Sequence, residues 1–331
     1  MKVSELGEFG LIELLAKVVS RPQDQGLVIG IGDDAAAWYG DRSLQLATVD
    51  SQIQGVHFSL NITPWKELGW KALAVNFSDI AAMGGLPRYA LVSLALPDDT
   101  EVGDVTALYQ GMIELAQQFG VLIVGGDTCR SSVVSVTVTV LGSAGDRALL
   151  TRAAAQAGDK IAVTGYLGSA AAGREMLDNQ LQLDREAAAY LSGAFLRPWP
   201  RVAEGQLLVR QGVTASIDIS DGLVADLTQI CNASRVSARV DIGRLPIHPA
   251  VRNNFGDKAV RLALSGGEDY ELLFTAPAGV IDSVKEAASC PITVIGDIIP
   301  GKAGEVRLID AQGKPYLPAQ SGWEHFKARQ H

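Results

Sequence analysis

The chain has 331 residues, 47% of them hydrophobic and 20% charged, with a formal net charge of −9. That length and apolar content support two globular domains, and the acidic balance excludes a general nucleic-acid binder, which needs a basic face. Cys129, Cys231 and Cys290 are widely spaced and form no CxxC pair, which argues against a zinc or redox site and fits a reducing cytoplasm.

The opening Met1–Glu5 has no basic region ahead of an apolar core, and no run of about 18 apolar residues occurs. Neither a secretory leader nor a membrane-spanning helix is expected. Residues 5–20 read as an amphipathic helix, with Leu11, Leu14, Leu15 and Val18 near helical spacing and Arg21-Pro22 ending it. Gly30-Ile31-Gly32-Asp33-Asp34-Ala35 imitates the G-x-G-x-x-A dinucleotide pattern. No amphipathic helix follows before Tyr39-Gly40-Asp41, however, and two acids at the turn would repel a bare pyrophosphate. A solvated acidic turn and a cation site both stay open.

Residues 44–50 alternate as a strand ending at Asp50, and a loop with Gln54 and His57 follows. Residues 65–83 predict a strong helix with Leu68, Ala72, Val75 and Ile80 on one stripe, closed by Gly84-Gly85-Leu86-Pro87. Asn76 and Asp79 are three apart and share a face of it. A strand over 88–96, a helix over 101–119 and a short buried strand over 121–124 come next. That last strand is expected to run into a Gly125-Gly126-Asp127-Thr128 turn, where the double glycine lets backbone N–H groups approach a ligand. Residues 133–141 alternate cleanly as a half-buried antiparallel strand. The first domain closes near Gly145-Asp146-Arg147, giving expected domains 1–147 and 148–331.

In the second half, Arg152 precedes a turn, strand and turn between Gly158 and Gly165. Residues 168–196 predict helix in two pieces, Arg197-Pro198-Trp199-Pro200 a break, and 201–211 another helix. A strand over 214–219 delivers Asp218, Ser220 and Asp221 to a helix over 223–233, with Ser220 or Asp221 as the natural N-cap. Capping does not explain Asp218, which precedes the turn. Ser265-Gly266-Gly267-Glu268-Asp269 leads into a strand, further strands fall at 292–296 and 305–309, and a polar terminal helix carries Trp323, His325 and Phe326.

There is no G-x-x-x-x-G-K-[ST] loop, no G-x-S-x-G, no H-E-x-x-H and no H-R-D, and four histidines are too few for a histidine-rich metal site. What the chain does repeat is aspartate in Gly/Ser/Thr-rich settings: Asp33, Asp34, Asp50, Asp79, Asp127, Asp218 and Asp221. Carboxylates, with the Thr48 and Val49 carbonyls, suit magnesium rather than zinc. Two like charges 4 Å apart cost roughly 4 kcal/mol at an effective dielectric near 20. A cleft holding several such acids therefore needs divalent cations, which can in turn hold the phosphates that the acids alone would repel.

The ordered set Gly30-Ile-Gly-Asp-Asp-Ala35, Thr48-x-Asp50 with Gly55-Val-His-Phe58, Val75-Asn-Phe-Ser-Asp-Ile-Ala-Ala-Met-Gly84, Gly125-Gly-Asp-Thr128, Asp218-Ile-Ser-Asp-Gly-Leu223 and Ser265-Gly-Gly-Glu-Asp-Tyr-Glu-Leu272 resembles the thiamine-monophosphate kinase family. That family belongs to the superfamily of aminoimidazole ribonucleotide synthetase-like ATP enzymes. The likeness runs from about residue 5 to 326. It implies an α/β (α+β) two-domain PurM-like fold, with an N-terminal mixed sheet that forms an intersubunit barrel in a homodimer and a C-terminal α/β domain. It implies a cytoplasmic enzyme that moves the γ-phosphoryl of ATP directly onto thiamine monophosphate with several Mg2+ ions, without nucleic acid or membrane as partner. By the same resemblance Asp34, Thr48, Val49, Asp50, Asp79, Asp127, Asp218 and Asp221 would ligate magnesium, and Asp34, Asp79, Asp127 and Asp218 would act in catalysis through it. Gly126, Asp127, Arg152 and Ser220 would contact ATP, and His57, Glu268 and Trp323 the thiamine moiety.

Gln54 and Val49 depart from the family pattern: many members carry Glu before Gly-Val-His-Phe, and some carry a hydroxyl residue beside the metal-binding Asp. Asp33 has no assigned role. Among relatives, selenophosphate synthetase needs an N-terminal reactive Cys, and the hydrogenase-maturation enzyme ends in Cys; neither feature occurs here. Aminoimidazole ribonucleotide synthetase and a non-catalytic acidic metal-binding protein are the alternatives.

Overall fold

The computed structural model describes residues 1–19, 27–29, 37–38, 40, 43–144, 149–318 and 322–323. Asp33 and Asp34 lie outside these residues, as does nearly all of the expected terminal helix. The chain divides into two compact units, Met1–Ile80 with Gly85–Asp146, and Ala81–Gly84 with Arg147–His331.

The first unit runs α1 (Val3–Val18), β1 (Leu27–Ile29), β2 (Ala37–Trp38), β3 (Gln45–Ile53), α2 (Trp65–Ala82), β4 (Leu86–Leu96), α3 (Val102–Phe119), β5 (Leu122–Arg130) and β6 (Ser135–Ser143). Strands β1 and β2 pair with each other, and the rest form a four-stranded sheet in the order β3-β6-β4-β5. β6 is antiparallel to β3 and β4, whereas β4 and β5 are parallel. The alternation of Ser135-Val-Thr-Val-Thr-Val140 decides the faces. Val136, Val138 and Val140 are fully buried, and Ser135, Thr137 and Thr139 lie half-buried on the other side. Each buried valine contributes roughly 1.5–3 kcal/mol, so a one-residue slip of register would be severely penalised. Helix α2 lies over the buried face, with Ile80 above Gly142. It crosses α3 through two glycines: a Cβ on Gly69 would fall 1.8 Å from the Leu108 carbonyl oxygen, and one on Gly111 1.8 Å from that of Lys66. Only glycine permits that approach.

The second unit contains β7 (Lys160–Thr164), α4 (Ser169–Asp178), α5 (Arg185–Leu196), α6 (Val202–Arg210), β8 (Ala215–Asp218), α7 (Leu223–Ser234), β9 (Ser237–Asp241), α8 (Pro249–Phe255), α9 (Lys258–Ser265), β10 (Leu272–Ala276), α10 (Ala278–Ala287), β11 (Ile292–Ile299), β12 (Val306–Ile309) and β13 (Pro315–Tyr316). Its sheet has the order β13-β12-β9-β11-β7-β10-β8. Consecutive residues of β10 are buried in turn by two different cores: Leu273 packs with Ile161, Ile217, Leu227 and Ile295, and Leu272 and Phe274 pack with Ala162, Leu208 and Ile281. Both faces of this sheet are covered, which is why its central strands read as continuous apolar runs.

Three expectations change. Gly125–Thr128 is not a turn but the continuation of β5, which stays paired with β4 as far as Arg130. The N-cap of α7 is Gly222, not Ser220 or Asp221, and no side chain caps it from that position. Strand β9 and helices α8, α9 and α10 were not anticipated. α8 is only seven residues long, too short to print a helical period.

Candidate active site

In the first unit, Thr48 and Asp50 alternate with Val49 along the edge strand β3. Val49 is 60% exposed on the open face, so Thr48 and Asp50 turn toward α2. Thr48 Oγ1 donates to Asp79 Oδ2 at 2.5 Å. Asn76, one turn earlier on the same face of α2, donates to the Ala72 carbonyl at 3.0 Å. Its own carbonyl oxygen, and that of buried Gln52 two residues beyond Asp50, have no hydrogen-bond partner among the described residues. Two unpaired hard oxygens on the side that carries Asp50 and Asp79 fit a region that receives a cation or its waters.

Asp127 is exposed on β5, the opposite edge strand. Its register partner is Ser93, which lies in the row of Thr137 and Ser51, next to the row of Asp50. Three strand spacings separate β3 from β5, about 14 Å, a span that one magnesium with ligands at about 2.1 Å does not bridge. The sheet of one protomer therefore does not bring Asp50 and Asp127 together. Gly126 is required by close packing, since a Cβ there would lie 1.9 Å from the Val92 carbonyl oxygen. His57 Nδ1 accepts from the Ile53 amide at 3.1 Å. Gln54 pairs with Val134 through both its backbone amide and its side-chain oxygen, so glutamine at this position ties the loop to the start of β6.

In the second unit, Asp218, Ser220, Asp221, Glu268 and Trp323 do converge, whereas Arg152 meets Ser234 at the far end of α7. β8 ends at Asp218, which is 3% exposed. The loop beyond it is held from three sides. The Glu268 amide donates to the Ser220 carbonyl at 2.8 Å, the Tyr270 amide to the Ile219 carbonyl at 2.9 Å, and the Trp323 amide to the Asp221 carbonyl at 3.0 Å. Glu268 and Trp323 therefore lie directly against the Ser220–Asp221 backbone. Glu268 (φ 61°) and Tyr270 (φ 50°) occupy the left-handed region, an expensive backbone for non-glycine residues. Asp269 between them accepts from the Gly168 and Ala170 amides at 2.7 and 3.1 Å, anchoring the turn to the start of α4. Below it, buried Glu271 takes a bidentate pair from Arg201 at 2.7 and 2.6 Å and a bond from Thr164 at 2.5 Å. Arg152 is exposed, and its carbonyl accepts from Ser234 at 2.8 Å.

The residue that sequence reasoning missed here is Asp226, in the first turn of α7. Its Oδ2 accepts the amides of Ser220, Asp221 and Gly222 at 3.1, 3.2 and 3.1 Å. Burial, then the Asp218 and Asp221 carboxylates, push its carboxyl up to about 8, against the pull of the Asp221 and Gly222 amides. An acid in a first helical turn was the available signal, but it is too common to stand out.

Among the described residues, no three His, Cys, Asp or Glu side chains form a ready-made metal cage. Magnesium does not require one. It binds through one or two carboxylates plus waters and phosphate oxygens, and the all-oxygen set of Thr48 with Asp79, and of Asp218 with Asp221, fits that mode. The free cysteines, exposed Cys129, half-buried Cys290 and buried Cys231, are not part of it. No helix among the described residues is long and apolar enough to cross a membrane.

Residues 32–144 match the family described as AIR synthase related protein, N-terminal domain, and residues 156–309 match its C-terminal domain. The chain is 39% identical over 328 residues to the thiamine-monophosphate kinase of Escherichia coli (strain K12), covering 97% of this chain and 98% of that protein. It is similar to the crystal structure of thiamine-monophosphate kinase from Stenotrophomonas maltophilia K279a, with TM-score 0.82, 37% identity, and 96% and 99% of the two chains covered. It is also similar to a structure described as AaThiL complexed with AMPPCP and TMP, with TM-score 0.76, 34% identity, and 98% and 99% covered.

Proposed function

The chain belongs to the thiamine-monophosphate kinase family of AIR synthase related proteins, and from that premise we propose that it transfers the γ-phosphoryl of ATP to thiamine monophosphate, giving thiamine diphosphate and ADP. The observation that carries this reading is the backbone junction in the second unit, where Glu268 and Trp323 are bonded to the carbonyls of Ser220 and Asp221. Residues suited to a cationic, aromatic acceptor thus adjoin residues suited to a magnesium nucleotide. Glu268 complements a thiazolium charge, and the Trp323 ring, 39% exposed, offers a stacking face.

The acceptor is already a phosphate dianion, so in-line transfer needs neither a nucleophile nor a general base. Magnesium supplies charge neutralisation for the phosphates. In the first unit the residues we assign to hold it are Thr48, Asp50, Asp79 and Asp127, with the Val49 carbonyl; in the second they are Asp218 and Asp221. Gly126, Asp127, Arg152 and Ser220 are assigned to ATP, and His57, Glu268 and Trp323 to the thiamine moiety. Asp34 keeps the magnesium role that the family likeness implies.

A homodimer is part of the proposal. The four-stranded sheet leaves Val49 60% and Leu86 43% exposed on one side, and its two edges carry Asp50 and Asp127. Closing that sheet with the sheet of a second copy would set β3 of one protomer beside β5 of the other. A cytoplasmic location accords with three cysteines that form no disulfide.

The test is incubation with ATP, Mg2+ and thiamine monophosphate. Thiamine diphosphate and ADP should form in equal amounts, with no phosphorylated enzyme isolable. Turnover of formylglycinamidine ribonucleotide in place of thiamine monophosphate would favour an aminoimidazole ribonucleotide synthetase instead.

A further inference from the structure

We propose that Asp226 is a positioning residue: its Oδ2 folds the 220–222 backbone into the shape that presents the Ser220 hydroxyl and the Asp221 carboxylate to the magnesium nucleotide. The inference rests on the function proposed above and adds a residue that touches neither ligand.

Three successive amides, those of Ser220, Asp221 and Gly222, converge on this one oxygen within 3.1–3.2 Å. Successive N–H groups that point to one spot make an anion nest, commonly used to bind phosphate. Here the nest is filled from within the fold by a side chain that is only 4% exposed. Two consequences follow. The N-terminus of α7 is closed to a phosphate, so the loop must meet the nucleotide through side chains and cations. The amides also fix the curvature of the loop, because the outer edge of the same segment is bonded to Glu268 and Trp323. Asp226 pulls from the inside and those two residues hold from the outside, which leaves the Ser220–Asp221 segment little freedom.

All three bonds go to a single oxygen, so an asparagine can replace that oxygen with its amide carbonyl, whereas alanine cannot. The experiment compares Asp226→Asn and Asp226→Ala, with Asp218→Asn as a control, in three measurements. These are amide hydrogen exchange of the 219–224 segment without metal, the Mg2+ concentration for half-maximal turnover, and the Kd of a non-hydrolysable ATP analogue with Mg2+. Asp226→Ala should raise exchange in 219–224 at least tenfold while the strands of both sheets keep wild-type protection, and should weaken Mg2+ and nucleotide at least tenfold. Asp226→Asn should stay within about threefold of wild type in all three. Wild-type exchange and affinity in Asp226→Ala would overturn the inference, and so would an Asp226→Asn variant as impaired as Asp226→Ala. If Asp226→Ala does not fold, the Asp226→Asn comparison alone decides, since the inference requires near-wild-type behaviour of that variant. Should Asp218→Asn leave the Mg2+ requirement unchanged, the magnesium assignment of this loop fails, whatever Asp226 does to its exchange.

Discussion

Thr48 Oγ1 donates to Asp79 Oδ2 at 2.5 Å, joining the edge strand β3 to the last turn of α2. Asp79 is thereby tied to β3 on the side of the sheet that also carries Asp50. A hydrogen bond to a charged group is worth about 1.5–3 kcal/mol. Thr48→Val keeps the β-branched shape and removes the donor. It should lower denaturant stability by about that amount and raise the Mg2+ requirement of turnover severalfold, whereas Thr48→Ser should change either little. Equal Mg2+ titrations for wild type and Thr48→Val would remove Thr48 from the metal region.

Ser220 has both backbone groups occupied. Its amide goes to Asp226 at 3.1 Å, and its carbonyl accepts from Glu268 at 2.8 Å. Any contact with ATP must therefore come from the hydroxyl. Ser220→Ala should raise the KM for ATP about five- to tenfold, the equivalent of one hydrogen bond of about 1–1.5 kcal/mol, and leave the melting temperature unchanged. Steady-state kinetics with varied ATP checks this, and an unaltered KM would exclude a Ser220 contact.

Much of this was legible in the sequence, for identifiable reasons. The alternation of Ser135–Val140 fixed β6 and its faces, and the apolar stripe of Leu68, Ala72, Val75 and Ile80 fixed α2. Asp218, Ser220 and Glu268 stood out because short acidic stretches beside glycine have few structural explanations. Glycine was also what misled. Gly125-Gly126 has the look of a chain reversal, yet β5 runs through it because parallel pairing with β4 continues and Gly126 is needed where the Val92 carbonyl approaches. The cap of α7 was sought before the helix, where capping side chains usually lie. Asp226 supplies it from inside the first turn, reaching back four to six residues, and acids in first turns are too common for this one to stand out. The edge positions of Asp50 and Asp127 depend on strand order, which the sequence does not print.

That strand order makes the dimer testable through the site. If Asp50 of one protomer works with Asp127 of the other, Asp50→Asn and Asp127→Asn homodimers are each inactive. A mixed dimer then has one site with both changes and one wild-type site. After subunit exchange of equal amounts, half the dimers are mixed, and activity should recover to about a quarter of wild type, as two-fold symmetry requires. No recovery, with exchange verified by mass spectrometry, would place both residues within one protomer's site.

His248 supplies a further pH dependence. Its Nδ1 accepts from the Ala250 amide at 3.2 Å, capping α8. Its ring stacks on Tyr190 at 3.7 Å and meets Tyr166 edge-on at 5.0 Å. Burial lowers its pKa below the usual 6.5, against an opposing pull from Glu186. The folded chain thus keeps the imidazole neutral in a range where the unfolded chain binds a proton. The stability gained from this is complete above pH 6.5 and drains away as pH falls through the folded-state pKa. His248→Asn keeps an acceptor at the cap but cannot titrate. Urea unfolding at several pH values from neutral down to about 5 should show the wild type losing stability relative to His248→Asn, with the gap opening below the ordinary histidine pKa of about 6.5. Parallel curves would mean that the proton has no preference between the folded and unfolded states at this residue.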